Sequence, residues 1–179
     1  MKLKDVLKLA DTINGAYVDL GYGKGTQTKE IHNLMLNGEI TKRDFILVDL
    51  FEGRDRGIWQ KAYDQCNEVI NRVGKKANYL KEDITSPSFK LDQPLAIVNI
   101  DLGEATIHGL TKTFYNTAKG GIILIREYLN PSIKEQINKF VKLSDNNCTL
   151  ISEGDYHYII KGVQKLKKLD IKRTRSILT

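Results

Sequence analysis

Short apolar runs alternate with amphipathic stretches along most of the chain. Residues 2 to 13 place Leu3, Val6, Leu7, Ala10 and Ile13 at helical spacing with a polar opposite face, and Asn14-Gly15 stops that helix. Ala16 to Leu20 reads as a strand. Thr26 to Leu36 reads as a helix that turns Ile31, Leu34 and Met35 inward and closes at Asn37-Gly38. Phe45 to Leu50 (FILVDL), with an acid near its end, and Leu95 to Ile100 (LAIVNI), apolar but for Asn99, are runs of strand length, the pattern of strands covered on both faces. Between them the spacing predicts a helix from Arg56 to Val73, with Ile58, Ala62, Cys66, Val69, Ile70 and Val73 as its buried stripe. A short strand, Ala77 to Leu80, and a proline-containing loop, Thr85 to Pro94, follow. Beyond Ile100 the pattern predicts a helix from about Ala105 to Ala118, punctuated by Gly120-Gly121, and a strand from Ile122 to Ile125. Pro131 opens a helix to about Leu143 with Ile133, Ile137, Phe140 and Val141 on one face. Cys148 to Ser152 and Tyr156 to Ile160 are two strands whose connection, Glu153-Gly154-Asp155, has hairpin spacing.

Strands that alternate with helices imply a parallel sheet with helices on both faces. The expected fold is therefore α/β: a Rossmann-like, doubly wound, mostly parallel seven-stranded sheet whose last strand is antiparallel. A chain of 179 residues is of single-domain size, so residues 1–161 are read as one domain and 162–179 as a tail. The tail changes the picture of the charge. The formal net charge is +6, and Lys161 to Arg175 is dense in Lys and Arg, with Asp170 as its single acid. That stretch is a solvated tail or a contact surface for a polyanion such as nucleic acid. It carries no aromatic residue on which bases would stack. Cys66 and Cys148 lie far apart without metal spacing, and the N-terminus MKLKDVLKLAD has no apolar signal core. A reducing, cytoplasmic setting is expected, with no membrane partner, since no apolar run has spanning length.

The chemistry concentrates in Val18 to Thr26, VDLGYGKGT. A strand ending in an acid, Asp19, meets Gly21, Gly23 and Gly25 and then a helix start. Glycines serve where the backbone takes positive φ or where a ligand must approach without meeting a Cβ, and the free N–H groups of a helix start favour an anionic group. In a doubly wound sheet ligands gather at the carboxyl ends of the strands. Those ends here read Asp19-Leu20-Gly21, Asp49, Glu82-Asp83, Asp101 and Arg126-Glu127. The third glycine of a dinucleotide fingerprint would fall at Thr26, and a pyrophosphate disfavours so many acids. S-adenosylmethionine has a ribose diol, an adenine amine, an α-amino group and a sulfonium, and it matches acidic strand ends better.

On these residues the chain resembles the class I S-adenosylmethionine-dependent methyltransferases, and among them the macrocin O-methyltransferase family. VDLGYGKGT resembles the family's first motif, and VDLFEGRDRG resembles its segment after the second strand. LAIVNIDLGEATIHGLTKTFYNTAKGGIILIREYL resembles its fourth strand, the helix after it and the fifth strand. The resemblance implies that Asp19, Gly21, Gly23 and Gly25, with Tyr22 between them, cradle the methionine end of the cofactor. It implies that Asp49 takes the ribose hydroxyls, with Leu50, Phe51 and Glu52 shaping the adjoining loop. Asp83 or Glu82 would accept from the adenine amine, and Asp101 would sit by the sulfonium and the acceptor. For the proton of an oxygen acceptor the candidate catalytic residues are Asp101 and, on the following helix, His108. Tyr22, Tyr128 and Trp59 are candidate linings of the acceptor pocket. His157 is read as structural and His32 as a surface residue.

The family's metal pairs are altered. Its Asp-x-Asp at the fourth strand end is Asn99-Ile100-Asp101 here, and its Asp-Asp after the fifth strand is Arg126-Glu127. A hard cation wants several oxygen ligands, so no metal site is assigned, and magnesium dependence is the less favoured alternative. The family's Tyr in the fourth-strand motif is Gly103. The expected activity is methyl transfer to a hydroxyl of a small molecule or sugar. The alternatives are an RNA methyltransferase that uses the basic tail, and a cofactor-binding relative without transfer activity. A homodimer that completes the acceptor pocket is a further expectation.

Overall fold

The computed structural model describes residues 2–23, 25–50, 64, 75–143 and 147–162. The expected helix from Arg56 to Val73, with Trp59 and Cys66, lies outside the described residues except for Asp64, and so do the loop residues Phe51 and Glu52 and the basic tail beyond Gly162.

The apolar runs form the strands β1 (Ala16–Leu20), β2 (Phe45–Asp49), β3 (Ala77–Lys81), β4 (Leu95–Ile100), β5 (Thr117–Ile125), β6 (Cys148–Glu153) and β7 (Tyr156–Lys161). They make one sheet in the order β3-β2-β1-β4-β5-β7-β6. The pairs from β3 to β5 are parallel, and β7 runs antiparallel to both β5 and β6. This is the expected doubly wound, mostly parallel sheet with an antiparallel final strand. Every residue of β1 and β4 is buried, because helices cover both faces. On one face α1 (Leu3–Lys8) and α2 (Thr26–Leu36) pack Val6, Leu7, Ile31 and Met35 on Tyr17, Phe45, Leu47, Ile97 and Leu124. On the other, α3 (Thr106–Phe114) and α4 (Pro131–Leu143) pack Leu110, Phe114, Ile133 and Ile137 on Val18, Val98, Ile123 and Ile125. Each such aliphatic side chain, fully buried, contributes about 1.5–3 kcal/mol of hydrophobic stabilisation.

Three features differ from the expectation. The first helix ends at Lys8 and continues to Ile13 only as turns. The segment after it is tied down by a side chain from far along the sequence: the buried guanidinium of Arg43 donates to the carbonyls of Ala10, Asp11, Ile13 and Gly15. Secondly, the helix after β4 stops at Phe114, and Gly120-Gly121 lie inside β5 rather than before it. Leu95 pairs with Thr117 but Ile97 pairs with Ile122, so β5 bulges between those points. A Cβ at Gly121 would come within 3.0 Å of the Ala96 carbonyl oxygen, and one at Gly120 would meet the Ile13 side chain, so Gly121 marks a close backbone approach and not a break. Thirdly, His32 is fully buried rather than on the surface. It belongs with Thr28, Ile31 and Met35 to the inward stripe of α2 and lies over Phe45, ring centroids 6.3 Å apart.

Candidate functional site

Sheet order reverses between β1 and β4, so their carboxyl ends flank the crevice where a doubly wound sheet takes its ligand. The glycine loop sits there. Gly21, Gly23 and Gly25 all have positive φ, at 79°, 52° and 68°. Their tolerances differ. A Cβ at Gly21 would overlap the Asp101 carbonyl, because the β1 and β4 backbones close on one another through the Asp101 N–H to Leu20 carbonyl bond of 2.9 Å. A Cβ at Gly25 would overlap the Tyr22 hydroxyl. At Gly23 the nearest atom would be 3.7 Å away, so this glycine leaves open space.

Asp19 is 1% exposed and is held from two sides. Thr28 Oγ1, in the first turn of α2, donates to Oδ2 at 2.6 Å, and Asn99 Nδ2, its register partner on β4, donates to Oδ1 at 2.8 Å. Burial raises the Asp19 pKa above 3.8, against the lowering effect of these bonds. Its residual charge adds to burial in raising the Tyr17 phenol well above 10.0. Asp19 thus locks the start of α2 beneath the loop. Asp49, half-buried at the end of β2, accepts from the Gly23 N–H at 2.8 Å. Leu50 is 47% exposed beside it.

Glu82 and Asp83 are exposed beyond β3. Asp83 Oδ1 accepts from the Thr85 hydroxyl at 2.7 Å and the Thr85 N–H at 2.8 Å. These bonds, with a smaller contribution from His108, hold its pKa below 3.8. Both fall on Oδ1, so Oδ2 keeps its acceptor capacity for an amine. Asp101 and His108 are exposed at the carboxyl edge and on α3. The remaining candidates are buried. Tyr22 is 4% exposed, lies under Gly25 and meets Tyr79 edge-to-face with ring centroids 6.4 Å apart. Tyr128 is also buried; its hydroxyl donates to Asn138 at 3.2 Å and its ring stacks on His157 at 4.6 Å. His157 shares a hydrogen bond with Ser152 at 3.0 Å, and burial lowers its pKa below 6.5.

The metal pairs of the resembled family can be tested on their chemistry. Asn99 Oδ1 accepts from Arg126 Nε at 2.9 Å while its Nδ2 serves Asp19, so both polar atoms of the Asn99 amide carry a hydrogen bond. Arg126 is itself a cation. Asp101 and Glu127 are the acids left, and the described residues hold no group of three or more His, Cys, Asp or Glu suited to a metal ion. These residues do not fit a hard divalent cation, which takes six or more oxygens. The role of Asn99 and Arg126 as a bonded pair was not readable from spacing, although both replace acids in the resembled motif.

No protein-family model matches the chain, and neither does any curated protein. Solved structures do. The O-methyltransferase NovP superposes with a TM-score of 0.64 at 18% identity, over 90% of this chain and 79% of that one. CalS11, a TDP-rhamnose 3′-O-methyltransferase, gives 0.64 at 16% identity over 88% and 77%. An rRNA methylase from Streptococcus thermophilus gives 0.58 at 15% identity over 90% and 94%. The chain therefore has the Rossmann-like fold that these methyltransferases share.

Proposed function

We propose that the chain is an S-adenosylmethionine-dependent methyltransferase that acts on a hydroxyl of a small molecule or sugar. The observation that carries this reading is the arrangement at the β1–β4 crevice. An open positive-φ glycine, Gly23, is tied to the Asp49 carboxylate, and exposed acids flank it at the ends of β3 and β4. That set suits a ligand with a diol, amines and a cationic centre and repels a pyrophosphate. The motif resemblance to the macrocin O-methyltransferases supports the hydroxyl acceptor, as does the likeness to NovP and CalS11.

The cofactor, when bound, would supply a methyl group on a sulfonium, whose carbon–sulfur bond breaks to leave a neutral thioether as the acceptor oxygen bonds to the methyl carbon. Asp49 accepts from the ribose hydroxyls through charge-assisted bonds. Asp83 accepts from the adenine amine. Asp101 lies at the strand end nearest the glycine loop and takes the hydroxyl proton, directly or through water. Holding the acceptor in line with the methyl group contributes most of the rate.

A second reading is methyl transfer to RNA. The net charge of +6, the basic run after Lys161 and the structural likeness to an rRNA methylase favour it. Transfer of labelled methyl groups from S-adenosylmethionine separates the two. The purified chain is offered sugar and phenolic hydroxyls in one arm and total RNA in the other. Label on the small hydroxyls, lost in Asp101→Asn, supports the first reading. Label on RNA, lost on deleting residues 162–179, supports the second. Cofactor binding with no transfer to either contradicts both and leaves a cofactor-binding protein.

A further inference from the structure

We propose that Arg126 is a carboxylate-binding group of this site, a fixed guanidinium at the strand end where the resembled family places metal ligands. The proposal rests on the methyltransferase reading and deepens it.

Arg126 follows β5 directly, and its N–H donates to the Ile100 carbonyl at 3.1 Å. It therefore stands beside the end of β4, next to Asp101, with β4 between it and the strand that carries the glycine loop. Three observations give it a ligand-binding character. First, its orientation is imposed: Nε donates to Asn99 Oδ1, and Asn99 is itself anchored on Asp19 and fully buried. Second, no carboxylate among the described residues pairs with it directly, although its charge, against the larger effect of burial, helps to lower the Asp19 pKa. Asn99 stands between it and Asp19, and Lys4–Glu39 is the one ion pair within 4 Å among the described residues. Third, its Nη2 is buried and has no hydrogen-bond partner. A buried guanidinium nitrogen without an acceptor is costly to keep, and the planar fork of arginine matches a carboxylate in two parallel bonds. Gly103 adds space at this edge, since a Cβ there would lie 3.7 Å from Glu127 Oε2 and would touch nothing nearer. With Asn99 engaged and Arg126 in a ligand position, the cation at this edge is the protein's own.

A carboxylate reaches this edge from two sources, the methionine end of the cofactor or the acceptor. Calorimetric titration of the full chain distinguishes them, with wild type, R126Q and R126K compared at equal circular dichroism. In the first arm the ligands are S-adenosylhomocysteine and its decarboxylated analogue, S-adenosyl-3-thiopropylamine. In the second, acetate and benzoate are titrated into the S-adenosylhomocysteine complex. If the cofactor supplies the carboxylate, wild type prefers S-adenosylhomocysteine over the analogue by about 10- to 100-fold, and R126Q abolishes the preference. If the acceptor supplies it, the preference survives in R126Q, but benzoate binding to the complex is lost. R126K retains part of either effect, because it keeps charge without the fork, and it carries the test should R126Q fail to fold. The proposal is overturned if R126Q and R126K match wild type in both arms, or if wild type needs magnesium to bind. Binding of S-adenosylhomocysteine by wild type with no Arg126 dependence in either arm overturns this proposal alone. No binding by wild type overturns the methyltransferase reading and this proposal with it.

Discussion

The Gly23 amide donates to the Asp49 carboxylate across 2.8 Å, which fastens the glycine loop of β1 to the end of β2. The loop is thus held open before any ligand arrives, and its three glycines have separate tasks. Gly23→Ala places a methyl group in open space, at φ 52°. It is expected to cost about 1–2 kcal/mol of stability from the left-handed backbone alone, while cofactor binding falls further because the methyl stands in the ligand's approach. Gly21→Ala drives a Cβ into the Asp101 carbonyl, so its loss is in folding. Thermal melts and ligand titrations of the two variants should diverge in this way.

Asp19 makes folding weaker at neutral pH. Its folded pKa is raised above 3.8, chiefly by burial. Below 3.8 the folded and unfolded forms are both protonated and the group is neutral in its effect. As pH rises from 3.8 through the raised folded pKa, the unfolded form ionises first and stability is lost; above that it stays lost. Asp19→Asn removes this penalty, so the difference in stability between wild type and variant should change with pH only across that window. A set of urea melts from pH 4 upward measures it.

His157 acts at the other end. Its pKa is lowered below 6.5, mainly by burial and then by Lys134. As pH falls below 6.5 the unfolded chain takes up the proton more readily and stability is lost, until the folded pKa is passed. His157→Gln should flatten the wild-type decline on acidification in the same melts.

Arg43 stands at the amino edge of the sheet, opposite the crevice, where it serves four carbonyls after α1. Arg43→Met leaves these acceptors without their donor and should cost about 2–4 kcal/mol, which lowers Tm by roughly 5–15 °C in a domain of this size. Affinity for S-adenosylhomocysteine should be unchanged in the folded fraction.

The strand–glycine–helix unit from Ala16 to Leu36 was legible because its signal is local: an apolar run, three spaced glycines, then helical periodicity. The largely apolar runs of β2 and β4 were legible for the same reason. The misreadings all involve partners remote in sequence. Gly120-Gly121 resemble a break, yet the Ala96 backbone makes them a bulge within β5. His32 is polar, yet Phe45 and the stripe through Thr28 and Met35 bury it. Asp19, Asp49 and Asp83 were legible as strand-end acids. Their use was not, because the Gly23 amide, Thr28, Asn99 and Thr85 occupy them in ways that only the fold brings about.

Calorimetric titration with S-adenosylhomocysteine, on wild type and on Asp49→Ala, tests the central claim most directly. Asp49 is predicted to fasten the loop and to take the ribose hydroxyls. Wild type should therefore bind, and the variant should lose affinity by about tenfold or more, with a fall in stability of only about 1 kcal/mol. Equal affinity in the two proteins, or no binding by wild type at any ligand concentration tested, would contradict the account.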